Sequence, residues 1–183
     1  MSRPRTTAIL FVDGYNIIGA WSDLQATRDR QGLDVAREQL IEVLTNYGSF
    51  RGYDTRIVFD AHLKHTPSHQ EKITNQVCVH YTNFGQTADS YIEIACAKFS
   101  RSIEKYQKRL IVATSDRAQQ MTVVGYGAEW MSASRLAHDV SNSQKGLRDQ
   151  RKTEKKVSRS SVFRGLDASA QKRLAAWRMG LPS

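Results

Sequence analysis

The first 131 residues alternate short apolar runs with longer amphipathic segments, and this alternation leaves few possible folds. The apolar runs predict five strands, at residues 8–12, 55–59, 77–81, 110–113 and 128–131. Apolar residues at helical spacing predict helices over residues 33–50, 87 to about 106 and 116 to about 124, with a polar loop over 62–70. Strands separated by helices indicate an α/β fold, with a mainly parallel sheet covered on both faces.

The length of 183 residues fits one domain and an extension, at roughly 150 residues per domain. A hydrophobic fraction of 40% and a charged fraction of 25% are ordinary for a globular protein. No apolar run approaches the ~20 residues of a membrane helix or the core of a signal peptide, so we expect a cytoplasmic protein, or one of an equivalent organellar stroma. Cys78 and Cys96 have no disulfide or metal spacing, so we expect them to be small buried side chains.

The positive charge is concentrated at the C-terminal end of the chain. Residues 144–183 contain 11 of the 27 lysines and arginines but only 3 of the 18 acidic residues, so they carry nearly all of the net charge of +9. We therefore predict a domain over residues 1–140 and a basic, helical extension over 141–183. The densest cluster consists of Lys145, Arg148, Arg151, Lys152, Lys155, Lys156 and Arg159.

Such a cluster attracts polyanions, and a nucleic acid is the partner we favour. The alternatives are a solvated helix face that aids solubility and, less favoured, an acidic membrane surface. The membrane is disfavoured because no strong apolar stripe accompanies the basic residues.

Carboxylates follow several of the predicted strands. Asp13 and Asp60 come directly after the first two strands, and Asp116 follows the fourth by two residues. Asp89 falls in the first turn of the helix after the third strand, and Glu93 follows one turn later on the same face. Because ligands of such sheets bind beyond the carboxyl ends of the strands, we expect these side chains to share one edge.

Clustered carboxylates raise one another's pKa, and a hard divalent cation relieves their repulsion. Mg²⁺ or Mn²⁺ held there could activate a water for phosphodiester cleavage. Each residue also has a plain structural interpretation, because Asp-Gly pairs form turns and aspartates favour helix N-termini. A zinc site in the loop of His62, His65 and His69 is less favoured, because neither a cysteine nor an acidic cluster completes it.

Five segments carry a family resemblance. They are residues 11–21 (FVDGYNIIGAW), 59–62 (FDAH), 87–93 (TADSYIE), 113–116 (ATSD) and 177–180 (WRMG). The first four resemble, in order, the motifs of the YacP-like group of NYN domains, and the last resembles the C-terminal end of that family. The resemblance implies a PIN-like three-layer αβα nuclease fold with an acidic metal site.

The resemblance also implies roles for individual residues. Asp13, Asp89 and Asp116 match the metal-binding carboxylates of the family, for Mg²⁺ or Mn²⁺. Asn16 matches a motif asparagine that orients the first aspartate or the scissile phosphate. Asp60 and Glu93 match acidic positions near the site and are further candidate ligands. Gln86 and Ser90 stand where relatives often have acids, so the number of ions, one or two, stays open.

YacP-like members include ribosome-associated endoribonucleases that cut mRNA in the ribosomal A site. The resemblance therefore implies a metal-dependent endoribonuclease with mRNA and the ribosome as partners, leaving a 5′-phosphate and a 3′-hydroxyl. We expect Arg117, beside Asp116, to meet a phosphate, and the basic cluster to hold RNA backbone without sequence readout. The alternative is a non-catalytic RNA-binding or ribosome-binding module whose acidic edge is structural. A receiver-like phosphoacceptor domain is disfavoured, because no lysine follows either of the last two predicted strands.

Overall fold

The computed structural model describes residues 7–60 and 68–146. In these ranges the strands are β1 (Ala8–Asp13), β2 (Tyr53–Phe59), β3 (His69–Lys72), β4 (Val77–Tyr81), β5 (Arg109–Ala113) and β6 (Glu129–Met131). The helices are α1 (Gly14–Ala20), α2 (Ser22–Gln31), α3 (Leu33–Arg51), α4 (Ala88–Ser100) and α5 (Arg117–Gly125), with a short 3-10 helix at Ile103–Tyr106. A further helical stretch, α6, occupies residues 133–146 at the end of the described range.

The described strands form one sheet in the order β3-β4-β2-β1-β5-β6. Only the edge strand β3 pairs antiparallel with its neighbour, so the predicted mainly parallel sheet is confirmed. From β1 the chain moves outward through β2 and β4 and then returns to the other side of β1 with β5. The strand order therefore reverses between β1 and β5, and the carboxyl ends of these two strands border the crevice where such folds bind ligands.

Strand β1 contributes side chains to two separate cores, one on each face of the sheet. Every residue of β1 is buried. Leu10 and Val12 join the core formed with α1, α2, α3 and α6. Ile9 and Phe11 point to the opposite face, and they join the core formed with α4 and α5. Helices thus cover both faces of the sheet, which confirms the three-layer αβα arrangement.

The structure differs from the sequence prediction where the apolar pattern is weak. Helix α4 ends at Ser100 rather than near residue 106, because the Ser100 and Ser102 hydroxyls donate to carbonyls of the last turn. The polar loop predicted over 62–70 overlaps the first two residues of β3, and the strand gave no apolar signal because all four of its residues are exposed and polar. Helices α1 and α2 were not predicted, since in α2 only Leu24 is buried and no apolar stripe marks the helix.

The predicted two-part organisation remains a prediction. Its boundary at residues 140–141 falls inside α6, and residues 147–183, which hold most of the basic extension, lie outside the described residues. Of the helices in residues 7–60 and 68–146, none is long and apolar enough to cross a bilayer.

Gly14 is the point where α1 approaches the end of β2 most closely. A Cβ atom at this position would lie 2.2 Å from Cε1 of Phe59. Phe59 is fully buried and cannot easily move aside, because its ring also packs against Tyr15 and Tyr81. Only glycine therefore lets the chain turn from β1 into α1 beneath this ring.

We expect Gly14→Ala to lower the free energy of unfolding by about 1–3 kcal/mol, because the added methyl group overpacks the Phe59 ring. Gly19→Ala is the matched control, since it lies in the same helix and a Cβ there meets nothing within 4 Å. That control should be neutral or stabilising by up to about 1 kcal/mol. Urea unfolding of both variants measures the difference, and equal stabilities would contradict the close approach.

Candidate active site

Two of the predicted site aspartates cap helices on either side of the crevice. Asp13 is the last residue of β1 and the N-cap of α1, where its Oδ1 accepts the Asn16 N–H at 3.1 Å. Asp116 caps α5, where its Oδ1 accepts the N–H groups of Ala118 and Gln119 at 2.7 and 3.2 Å. Each carboxylate thus satisfies helix donors that have no partner within the helix.

The other two predicted aspartates reach the same edge through α4. Asp60 directly follows β2, and its Oδ1 accepts the N–H of Ala88, which ties the start of α4 to the end of β2. Thr87 caps α4 by accepting the Ser90 N–H at 3.1 Å. Asp89 lies in the first turn of this helix, so the tie between Asp60 and Ala88 positions it near Asp13.

Asn16 connects the two loops that border the crevice. Its side-chain Oδ1 accepts the Ser115 N–H at 2.6 Å, although the two residues are 99 positions apart. Its backbone N–H is the donor to Asp13, so one residue holds both the Asp13 carboxylate and the loop before Asp116. The structure thus places the predicted motif asparagine as a brace between Asp13 and Asp116.

Asp13 and Asp89 form a close acidic pair. Burial raises the pKa of Asp13 to about 7, against the opposing hydrogen bond from the Asn16 N–H and with help from the charges of Asp89 and Asp60. Burial also raises the pKa of Asp89, which receives a hydrogen bond from Asp13 and faces the charges of Asp116 and Asp60. The two carboxyl groups therefore share a proton near neutral pH, and Asp60 and Asp116 add negative potential.

The donor set fits a divalent cation. Oδ1 of Asp89 is buried and has no hydrogen-bond partner. Within the described ranges, no lysine or arginine forms a salt bridge with Asp13, Asp60, Asp89 or Asp116. No group of three or more His, Cys, Asp or Glu side chains among these residues is already arranged as a metal cage. A cation here would bind to the pair first, and further carboxylates or waters would complete its coordination.

Three of the remaining predicted site residues lie in the described ranges, and the others lie outside them. Glu93 is half-buried on α4, and it adds to the raised pKa of the buried Cys96 rather than being a main influence on Asp13 or Asp89. Arg117 is exposed at the start of α5, next to Asp116, and Lys145 is exposed on α6. The other six members of the basic cluster lie outside the described residues, as do His62 and His65.

Sequence reasoning missed Thr114, a supporting residue. This fully buried threonine directly follows β5, and its Oγ1 accepts the Asp116 N–H at 3.0 Å. Its carbonyl accepts the Trp130 indole N–H at 3.0 Å. A threonine two residues before a helix-capping aspartate is a recognisable turn signal, and it would have identified this support.

We expect Asp13→Asn to be more stable than the wild type at about pH 8 in EDTA, by on the order of 2 kcal/mol, and equally stable near pH 4. In the unfolded chain this carboxyl ionises near pH 4, whereas in the folded chain it ionises at about 7. The folded protein therefore binds more protons between these values, so wild-type stability falls as the pH rises. Asparagine removes the charge and keeps an oxygen for the Asn16 N–H.

Thermal unfolding of both proteins across this pH range is the measurement. Asp23→Asn is the control, because Asp23 is exposed in the first turn of α2 and should give no stabilisation at high pH. Parallel pH profiles for the wild type and Asp13→Asn would contradict the buried pair.

The chain is similar to known proteins over nearly its whole length. The family model of the YacP-like NYN domain matches residues 10–179. The "Uncharacterized protein YacP" of Bacillus subtilis (strain 168) is 34% identical over 174 residues, which cover 94% of this chain and 97% of that protein. A crystal structure of Rae1 (YacP) from Bacillus subtilis is 31% identical, has a TM-score of 0.67, and covers 95% of this chain and 96% of its own.

A structure of a tryptophan-to-leucine mutant of the same Bacillus subtilis protein gives similar values. It is 30% identical with a TM-score of 0.64, and the match covers 92% of this chain and 98% of that one. The sequence motifs, the fold and the relatives agree over nearly the whole chain. The chain belongs to the YacP-like NYN domain family, a nuclease-type family with a PIN-like fold.

Proposed function

We propose that this protein is a metal-dependent endoribonuclease that hydrolyses RNA phosphodiester bonds, with mRNA at the ribosome as its substrate. The observation that carries the proposal is the Asp13–Asp89 pair, in which Asp13 is buried and Asp89 half-buried, and which lacks a cationic partner among the described residues. The pair lies where the strand order reverses, in a family of nuclease type. Burying such a pair destabilises the fold, so its presence calls for a ligand that the charges serve.

Asp13, Asp89 and Asp116 would hold the Mg²⁺ or Mn²⁺, with Asp60 as a further ligand and Glu93 a more distant one. When bound, the cation supplies the positive charge that activates water and stabilises the leaving oxygen of a phosphodiester. The protein's own contribution is to orient the carboxylates. The Asn16 N–H fixes one oxygen of Asp13, and the Asn16 side chain fixes the loop that carries Asp116.

Arg117 is the phosphate contact that we propose beside the acids. It is exposed and directly follows Asp116, so its guanidinium can reach an RNA phosphate at the same edge of the sheet. Hydrolysis by in-line attack of water would leave a 5′-phosphate and a 3′-hydroxyl. Without a cation the four aspartates would repel RNA, so cation loading and substrate binding should be coupled.

The basic cluster would provide the second part of RNA binding. Lys145 is exposed on α6, and the sequence places Arg148, Arg151, Lys152, Lys155, Lys156 and Arg159 after it. Such residues neutralise phosphates and release counterions without reading the sequence. Any preference for a codon or reading frame would then come from how the ribosome presents the mRNA.

We expect Asp13→Asn and Asp89→Asn each to reduce cleavage at least about a hundredfold, since each removes one carboxylate of the pair. The assay incubates each protein with translating ribosomes and a defined mRNA, with Mn²⁺ or Mg²⁺ or with EDTA. Primer extension maps the new 5′ ends. Discrete cuts by the wild type that disappear with EDTA are the expected result.

Asp23→Asn is the matched control for this assay, because it makes the same chemical change on the exposed first turn of α2. It should cut like the wild type. Full activity of Asp13→Asn, or cuts by the wild type in EDTA, would refute the metal-dependent mechanism.

A second prediction concerns the basic cluster. Replacing Lys152, Lys155 and Lys156 by glutamine should lower the slope of log Kd for single-stranded RNA against log salt concentration. The slope should fall by about 0.7 for each replaced lysine that contacts a phosphate. The control replaces Lys98, Lys105 and Lys108 of the described domain by glutamine and should leave the slope unchanged. Binding titrations at several salt concentrations measure both, and equal slopes would place RNA contact elsewhere.

The second candidate function is a non-catalytic RNA-binding or ribosome-binding module. It is favoured by the capping hydrogen bonds of Asp60 and Asp116, which give these carboxylates a structural task. The two functions differ in thermal unfolding with Mn²⁺, because an ion that binds only the folded state raises the midpoint. Three results together would favour the module. The protein would bind ribosomes, Mn²⁺ would leave the midpoint of unfolding unchanged, and the wild type and Asp13→Asn would give identical 5′ ends.

A further inference from the structure

A row of aromatic rings runs along the carboxyl edge of the sheet, on the face that α1 and α3 cover. Phe59 ends β2, Tyr81 ends β4 and His69 begins β3, and the strand register pairs Phe59 with Tyr81 and Tyr81 with His69. The Phe59 and Tyr81 rings stack at 5.8 Å between centroids, and the Tyr81 and His69 rings stack at 4.4 Å with 16° between their planes. Tyr15 of α1 packs on the inner end, 5.0 Å from Phe59.

The row passes from the core to solvent. Phe59 is fully buried, Tyr15 and Tyr81 are half-buried, and His69 is exposed at the outer end. The edge position of β3 explains the exposure of His69, since no further strand lies beyond it among the described residues. A planar ring can therefore join the outer part of the row.

Arg37 of α3 adds a positive charge to the row. Its guanidinium carbon lies 6.0 Å from the centre of the Phe59 ring and 5.9 Å from that of Tyr81. Its Nη1 donates to the Tyr15 hydroxyl at 3.2 Å, and an ion pair with Asp34 holds it from the other side. The side chain remains 26% exposed, so the charge is fixed in place and still accessible to a ligand.

The position of the row links it to the acidic pair. Tyr15 is two residues after Asp13, and Phe59 immediately precedes Asp60. In the strand order, β4 is two steps from β1, or about 10 Å at ordinary strand spacing. Along one edge a polymer would meet the aromatic row, then the acidic pair, and then Arg117 at the start of α5.

We propose that His69, backed by Tyr81 and with Arg37 beside Tyr81, forms a stacking platform for a base of single-stranded RNA near the scissile phosphate. The proposal rests on the proposed function and names the contact that positions its substrate. Stacking on aromatic rings beside a fixed cation is how proteins bind single strands with little sequence preference. A polyanion whose units carry planar rings matches both the stack and its charge.

The test measures binding of a fluorescent single-stranded RNA by anisotropy in EDTA, where cleavage plays no part and the repulsion from the uncompensated aspartates is the same in every protein compared. We expect Tyr81→Leu and His69→Ala each to weaken binding at least about fivefold. Tyr81→Phe keeps the ring and should stay within about twofold of the wild type. The same RNA backbone with abasic residues in its central half should bind the wild type more weakly than intact RNA does. Tyr81→Leu should bind the intact and the abasic RNA with equal affinity.

Tyr106→Leu is the matched control, because Tyr106 is exposed beside Lys105 at 5.0 Å but lies before β5, towards the opposite edge of the sheet. It should bind like the wild type. His69 is exposed, so His69→Ala decides the question if Tyr81→Leu fails to fold. Wild-type affinity in both variants, or equal affinity of the wild type for intact and abasic RNA, would overturn the platform.

The outcomes also separate this proposal from the nuclease function. If the wild type binds RNA through its bases but makes no cut in the ribosome assay, the platform stands and the nuclease proposal fails. If the wild type cuts mRNA and both platform variants cut with the same KM and bind with the same affinity, the nuclease proposal stands and the platform fails.

Discussion

Strand β1 lies inside the sheet, and the packing of the helices on both faces depends on its side chains. A strand with helices on both faces must be apolar on both, and the six residues of β1 are buried without exception. Its alternate side chains enter two different cores, so the strand fixes the positions of α1, α2 and α3 on one face and α4 and α5 on the other. Because β1 ends in Asp13, the same strand that organises the two cores also carries a carboxylate to the point where the strand order reverses.

The acidic edge combines two functions in the same groups. Asp13, Asp60 and Asp116 accept backbone N–H groups at helix starts, and these bonds hold the carboxylates in place. At Asp13 the bond from the Asn16 N–H favours the charged form, but burial and the neighbouring carboxylates prevail, since the pKa of Asp13 is raised, as is that of Asp89. The capping bonds thus orient the carboxylates, while the unrelieved charge is what the proposed cation would neutralise.

The parts of the structure that follow from periodic burial could be predicted from the sequence. The apolar runs of β1, β2, β4 and β5 identified the parallel sheet, and the rule that parallel strands end at one edge brought Asp13, Asp60 and Asp116 together. Segments that bury little, such as α2 and β3, gave no such signal. Neither the proton shared by Asp13 and Asp89 nor the Asn16–Ser115 bond was predictable, because each joins residues distant in sequence and depends on positions within about 3 Å. The stacking of His69 on Tyr81 depends likewise on the register of two strands. The role of the basic cluster stays a prediction from composition.

The Asn16–Ser115 hydrogen bond can form only after most of the chain has been synthesised. It joins α1 to the loop after β5, across 99 positions of the chain, and β5 must pair with β1 before the bond can form. A nascent chain that has left the ribosome only as far as β4 contains Asp13 and Asp60 but lacks both Asp89 and Asp116. Because domains fold as units once their long-range partners are available, the acidic edge assembles only when synthesis of the sheet is nearly complete. The order of the strands along the chain thus delays the meeting of the four aspartates until translation has passed β5.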